Sequence, residues 1–317
     1  MVTISERLAV PDPEYLADKL STFIATTVHQ RGRIGCVLGN SGGIDSALVA
    51  TLAVRALGKK NVKLFFLPER DTHPKSRGDA RLVARHLGLS MQEINMTPII
   101  RKMGVYHLEP PSAVFPHFIR SIYAVLNWRR HSSKNTGYYL QMMRGGNSPK
   151  IRRDLAFSNA KNRARMSMLY KQADIQDCLV LGTDNRSETM TGLFVRYGDG
   201  ASDLAPLAQL YKSQVFALAA YLGVPSRIIA KKPVGDLAPG VTDEHTLTMP
   251  YSQLDPILAG LELGMADQEI LAQTDATQNQ INYIKELMSL AQPLHELPAV
   301  PSATDLFSRL LEAEARA

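Results

Sequence analysis

Arg33-Ile-Gly-Cys-Val-Leu-Gly39, followed by Asn40-Ser-Gly-Gly-Ile-Asp-Ser46 and the alanine- and leucine-rich run to Leu57, decides the fold. The first part is a short apolar run and reads as a buried strand. The last part reads as a helix over 44–57, with Gly58 as its stop. Between them, Gly42 and Gly43 let the backbone curl, and free N–H groups at a helix start favour an anion. Phosphate is the expected guest: Ser41 and Ser46 offer hydroxyl donors, and Asp45 is placed to hold Mg²⁺ against phosphate oxygens. No Gly-Lys-Ser/Thr follows, so this is not a Walker loop, and the glycine spacing does not fit the dinucleotide fingerprint. On the loop alone, a tight turn with a helix cap stays open as the plainer reading.

Working outward, Leu16, Leu20, Phe23 and Ile24 recur at helical spacing between Tyr15 and Thr26. Beyond Gly58 the cycle repeats: Val62 to Leu67 as strand, Pro74 to His86 as helix closed by Gly88, Met91 to Met96 as strand. It resumes with Asn159 to Ala173 as helix, Asp177 to Gly182 as strand and Ser213 to Leu222 as helix. Alternation of this kind predicts an α/β fold, a parallel sheet with helices on both faces. The C-terminal part reads as helical, over 251–261, 279–290 and 303–315, with a proline-rich link at Pro293 to Pro301. A single domain over 1–317 is expected. It is interrupted at about 106–154 by an insertion or lid in which Arg120, Arg129, Arg130, Lys134, Arg144, Lys150, Arg152 and Arg153 interleave with Tyr123, Trp128, Tyr138 and Tyr139.

Composition narrows the class without naming a reaction. With 45% hydrophobic and 21% charged residues, the chain is ordinary for a globular protein and wrong for a disordered one. Cys36 and Cys178 sit in apolar runs, as small buried strand residues with no redox or metal role. No apolar run reaches the length of about eighteen residues that a membrane helix needs. The start, with its charges and Pro11 and Pro13, does not look like a secretory leader, so a cytoplasmic setting is expected. A net charge of +6 suits a phosphorylated small molecule as well as a nucleic acid.

The loop Ser41-Gly-Gly-Ile-Asp-Ser46 resembles the pyrophosphate loop of enzymes that split ATP between its α and β phosphates. Three later stretches are similar to the ammonia-dependent NAD synthetases within that group. They are Asn159-Ala-Lys-Asn-Arg-Ala-Arg-Met166; Gly182-Thr-Asp-Asn-Arg-Ser-Glu188 running on to Tyr197-Gly-Asp-Gly-Ala-Ser-Asp-Leu-Ala-Pro-Leu207; and, more loosely, Lys232-Pro-Val-Gly-Asp-Leu237 with Thr242-Asp-Glu244. The resemblance covers roughly Tyr15 to Gly104 and Asn159 to Pro301. Taken singly, Lys161, Arg163 and Arg165 also read as a solvated helix face, Glu188 as a surface acid, and Asp199 and Asp203 as turn and cap residues.

The resemblance implies an adenine nucleotide alpha-hydrolase-like, Rossmann-like fold and an AMP-forming ligase with ATP as co-substrate and Mg²⁺ as cofactor. It implies that Gly39, Ser41, Gly42, Gly43, Ile44, Asp45, Ser46, Thr183 and Lys212 bind ATP, and that Asp45 and Glu188 share the metal. Asp45 and Lys212 take the catalytic roles. Lys161, Arg163, Arg196, Asp199, Asp203 and His295 take the acid substrate, deamidated NAD. Ammonia is the nitrogen source and the protein a homodimer, with nucleic acid and membrane outside its partners. Three positions depart from the family pattern: Arg196 stands for a lysine, Val234 for a threonine, and His295-Glu-Leu for a histidine followed by basic residues. They keep two other readings in view, a related enzyme acting on another carboxylate and a tRNA-modifying or tRNA-binding protein.

Overall fold

The computed structural model describes residues 2–108, 119, 122, 125–126, 128, 137–145, 148–233, 241–296 and 298–302. Its strands are β1 (Gly35–Gly39), β2 (Val62–Phe66), β3 (Met91–Glu93) and β4 (Cys178–Val180), all parallel in the order β3-β2-β1-β4. Cys36 pairs with Val62 on one side of β1 and with Leu179 on the other, so the strand leading into the glycine loop is central. The first helices are α1 (Ile4–Leu8), α2 (Pro13–Gln30), α3 (Ile44–Leu57), α4 (Ser76–Leu87), α5 (Thr97–Lys102), α6 (Tyr138–Met143) and α7 (Pro149–Ile175). Then come α8 (Arg186–Thr191), α9 (Lys212–Tyr221), α10 (Ser226–Ile229), α11 (Asp243–Leu247), α12 (Tyr251–Glu262), α13 (Asp267–Gln273) and α14 (Gln278–Ala291).

Two cores flank the sheet because strand side chains alternate between its faces. Cys36, Leu38, Leu64 and Leu179 pack with α2, α3, α9 and α10. Val37, Phe65 and Val180 face the other way, against Met96 and Ile100 near α5 and Phe157, Met166 and Leu169 of α7. Burial of a Val, Leu or Phe here is worth about 1.5–3 kcal/mol each, so a slip of one residue in β1 would be expensive. Local signals set the helix ends. Asp12 accepts from the Tyr15 N–H ahead of Pro13, and Gly58 and Gly88, at φ of 74° and 65°, close α3 and α4.

A third core joins α1, α6, α12 and α14, with Leu254, Ile257, Leu258, Ile281 and Leu287 wholly buried. Part of the stretch read from sequence as a lid belongs to it. Trp128, Tyr138, Tyr139 and Leu140 are buried there, the Trp128 ring meets the Tyr138 ring edge-on at 5.0 Å, and the Trp128 indole donates to the His245 carbonyl at 3.3 Å. The helix expected over 303–315, together with Val234, Arg120, Tyr123, Arg129, Arg130 and Lys134, lies outside the described residues.

Candidate active site

The loop between β1 and α3 is held from behind. Asn40 is buried; its amide donates to the Ala80 carbonyl at 2.9 Å and its Oδ1 accepts from the Gly42 N–H at 3.2 Å. Lys231 donates to the Gly42 carbonyl at 3.1 Å and pairs with buried Asp79 of α4 at 3.2 Å. Gly42 itself has φ of 73°, and a Cβ there would sit 2.7 Å from the Ala80 nitrogen and 2.8 Å from the Asp79 Cβ. Neither neighbour is a free side-chain end. Gly42→Ala should therefore cost about 1–3 kcal/mol of stability and push the loop toward the ligand. The checks are a denaturant melt and the KM for ATP; unchanged values for both would remove the steric argument.

α3 starts without a side-chain cap at Gly43, so the helix start faces a cavity of about 560 Å³ at the carboxyl ends of the strands. Ligands of open α/β sheets bind at that end. Gly39, Ser41, Gly43, Ile44, Asp45, Ser46 and Thr183 line this cavity, as the sequence predicts for a phosphate site; Gly42 lies behind it.

One wall carries a buried charge group. The Lys212 amine, 0% exposed, lies 2.6 Å from Asp45 Oδ2 and 3.2 Å from Glu188 Oε1. Asn185 donates to Asp45 Oδ1 at 3.0 Å and caps α8 reciprocally with Glu188. Asp45 thus meets two segments 140 and 167 positions away, through side chains set at three helix starts. Burial alone would lower the Lys212 ammonium, but Asp45 and Glu188 outweigh it and hold it above its ordinary value. Burial pushes the Glu188 carboxyl up to about 8 against the pull of Lys212. Burial likewise raises Asp184 well above its usual range, aided by Asp199, Glu188 and Asp45.

A second charge group lies on the side of β2 and α7. Lys161, 2% exposed, pairs with Glu69 at 2.7 Å and Asp71 at 3.1 Å; Glu69 also accepts from the Tyr106 hydroxyl at 2.8 Å. Lys161 and Asp199 line the cavity, and Asp199 accepts from the Val195 N–H at 2.6 Å. Arg163, Arg196 and His295 form a separate set, in which Arg163 and His295 are exposed and Arg196 is half-buried. Arg163 donates to the Arg196 carbonyl at 3.1 Å, Arg196 to the Glu296 carbonyl at 2.6 Å, and His295 is 2.9 Å from the Thr189 carbonyl. Asp203 lies apart from both: it accepts from the Val180 N–H at 2.8 Å and pairs with Arg31 at 3.5 Å, extending the ladder of β4. Sequence reasoning missed Glu69, Asp71, Asn185, Asp184 and Lys231. The position of Glu69-Arg-Asp71 just beyond β2 was the available signal for the first two.

A glycine loop leading from a central parallel strand to an uncapped helix start, with cations and carboxylates around the same cavity, places the chain among nucleotide-binding α/β proteins. The NAD synthase family model matches residues 16–114 and 129–298, and the chain belongs to that family. It is 38% identical to an NH(3)-dependent NAD(+) synthetase of Thermotoga maritima over 87% of this chain and 95% of the relative. It is 36% identical to one of Pyrococcus horikoshii over 91% and 96%. Among solved structures it resembles an NMN synthetase from Francisella tularensis, with a TM-score of 0.68, 25% identity and coverage of 92% and 99%. An NH3-dependent NAD synthetase from Campylobacter jejuni gives a TM-score of 0.64 at 26% identity, covering 92% and 100%. Among the described residues, no helix is long and apolar enough to cross a membrane.

Proposed function

We propose that this chain is an ammonia-dependent NAD synthetase, converting nicotinic acid adenine dinucleotide, ATP and ammonia into NAD, AMP and pyrophosphate. The observation that carries the reading is that the Ser41–Ser46 loop, Asp45 and Glu188 line one cavity, with Lys212 buried behind the two carboxylates and paired to both, in a chain of the NAD synthase family.

A bare carboxylate resists attack by ammonia because its charge repels the nucleophile and oxide is a hopeless leaving group. The substrate carboxylate therefore attacks the α-phosphorus of ATP, the α–β phosphoanhydride breaks, and pyrophosphate leaves. Ammonia then attacks the acyl carbon, loses a proton, and AMP departs. The loop N–H groups and the Ser41 and Ser46 hydroxyls orient the phosphates, and Lys212 offsets the charge that grows on the departing pyrophosphate. Thr183 contacts the nucleotide. Lys161, Arg163, Arg196, Asp199, Asp203 and His295 are assigned to the acid substrate.

Mg²⁺ belongs to the same reading. Asp45 and Glu188 both line the cavity and offer hard carboxylate oxygens, of which Asp45 Oδ2 and Glu188 Oε1 face the Lys212 amine at 2.6 and 3.2 Å. Mg²⁺ is commonly held by one or two carboxylates together with substrate phosphates. When bound, the ion supplies positive charge to the phosphate oxygens. A homodimer, a cytoplasmic setting and a single domain with 106–154 as its insertion complete the proposal.

The test is release of pyrophosphate by the purified protein with ATP, Mg²⁺ and ammonium, with and without nicotinic acid adenine dinucleotide, and detection of NAD by mass. Dinucleotide-dependent release with NAD formed is the expected result. The likeness to the Francisella NMN synthetase favours one competitor, so nicotinic acid mononucleotide is run in parallel. A higher kcat/KM with the mononucleotide would overturn the choice of substrate, and no release with either would overturn the reaction.

A further inference from the structure

α12 packs through Leu254, Ile257 and Leu258, all wholly buried, yet among them stands Asp255, also 0% exposed. An apolar residue would fill that place at less cost, since a carboxylate taken from water must be offset by hydrogen bonds. Two are present, and both run to the machinery described above. Asp255 Oδ1 accepts from the Ser187 hydroxyl at 2.6 Å, and Oδ2 accepts from the Ser213 N–H at 2.7 Å. The Ser187 Oγ in turn accepts from the Lys212 N–H at 2.9 Å. Ser187 precedes Glu188 in the first turn of α8, and Lys212 and Ser213 open α9.

α9 receives no hydrogen bond from the side chain of its own cap residue, Tyr211. The N–H groups of its first two residues are satisfied instead by Ser187 from α8 and Asp255 from α12. The starts of two helices, one carrying Glu188 and the other Lys212, are thus tied to a single carboxylate from a third. We infer that Asp255 is a positioning residue for the pyrophosphate-forming step, fixing Lys212 and Glu188 relative to Asp45 without touching the substrate. The inference rests on the ATP-splitting reading of the site.

Leucine at 255 keeps the branched shape, with methyl groups in place of the oxygens, and removes both acceptors. Asparagine keeps the shape, an acceptor for the Ser213 N–H and a donor toward the Ser187 Oγ. Asp255→Leu should lower kcat by about 100-fold, the scale of a 1 Å misplacement at a reacting centre. The KM values for ATP and the acid should stay within about threefold, because the loop and cavity are untouched. Asp255→Asn should recover kcat to within about tenfold of the wild type. In a double-mutant cycle on kcat, Asp255→Asn and Ser187→Ala should be coupled, since both alter one chain of hydrogen bonds.

A folded Asp255→Leu variant with kcat within about threefold of the wild type, a loss carried by KM alone, or Asp255→Asn and Ser187→Ala effects that simply multiply would each overturn the inference. If the leucine variant does not fold, the asparagine variant and the cycle decide. An inactive wild type would sink the functional reading and with it the role in that step, leaving only the positioning of Lys212 to be judged. Crystal structures of wild type and Asp255→Asn then decide, by whether the Lys212 amine moves away from Asp45.

Discussion

Lys212→Met should reduce pyrophosphate release at saturating ATP by about 10²–10³-fold, the usual loss when one preorganised charge at a developing anion is removed. Methionine keeps most of the lysine's volume, so packing against the Tyr251 ring, now 5.2 Å from the amine, is largely retained. Removal of the charge leaves Asp45 and Glu188 facing each other in a buried wall. Breaking a buried ion pair in this way costs about 3–5 kcal/mol. The activity loss and the stability loss have separate checks. kcat is read from pyrophosphate release, and stability from denaturant melts at two pH values. The melts should show the deficit shrinking as the pH falls through about 8, where protonation of Glu188 relieves the stranded pair. A Lys212→Met enzyme with wild-type kcat would remove the lysine from the chemical step, and one with a pH-independent deficit would contradict the charge argument.

Glu188→Gln should do the opposite to stability while also losing activity. Burial raises the Glu188 carboxyl to about 8 from 4.5. Between those values the folded protein keeps a proton that the unfolded chain has released. The stability contributed by this group is therefore fully present below about pH 4.5, and is lost as the pH rises through about 8. Glutamine is neutral throughout and has no such slope. In metal-free buffer the variant should match the wild type near pH 5 and exceed it by on the order of a few kcal/mol at pH 9. Its pyrophosphate release in Mg²⁺ should fall by about 10²-fold or more, because an amide is a poor ligand for a hard divalent ion. Parallel stability curves for the two proteins across pH 5–9 would contradict the burial argument. A more stable but inactive protein is the expected signature of a residue kept for chemistry at the expense of the fold.

Much of the frame is legible in the sequence because its signals are local. α3 runs over Ile44–Leu57 as the glycines at 43 and 58 predict, and the parallel sheet follows from strands alternating with helices. Element lengths are less legible. α7 begins at Pro149, well before the expected 159, because Ile151 and Phe157 find buried places that only the tertiary fold supplies. β4 is shorter than its apolar run, since Leu181 pairs through an isolated bridge with Leu204.

The cavity-lining residues of the glycine loop are equally local. The partners of the site's charges are not. Lys161 reads from sequence as a cation for substrate, and in the fold it is buried between Glu69 and Asp71, the latter 90 positions away. Asp255 reads as an ordinary helix residue because its partners Ser187 and Ser213 lie 68 and 42 positions off. Pairings at that range follow from how the helices dock, which no local pattern encodes.

The aromatic anchor of the third core bears on how the chain can be shortened. Gly137 lies so close to Tyr283 and Thr248 that even a methyl group would press on them, and Tyr138 and Trp128 follow each other into the same interior. Excising the stretch around 106–154 to make a minimal catalytic core would not trim an appendage. It would withdraw three aromatic side chains, Trp128, Tyr138 and Tyr139, from the interior shared with α12, the helix that carries Asp255. A crystallographer or engineer seeking a leaner protein should graft an aromatic plug in its place, or expect a wet interior and a precipitate.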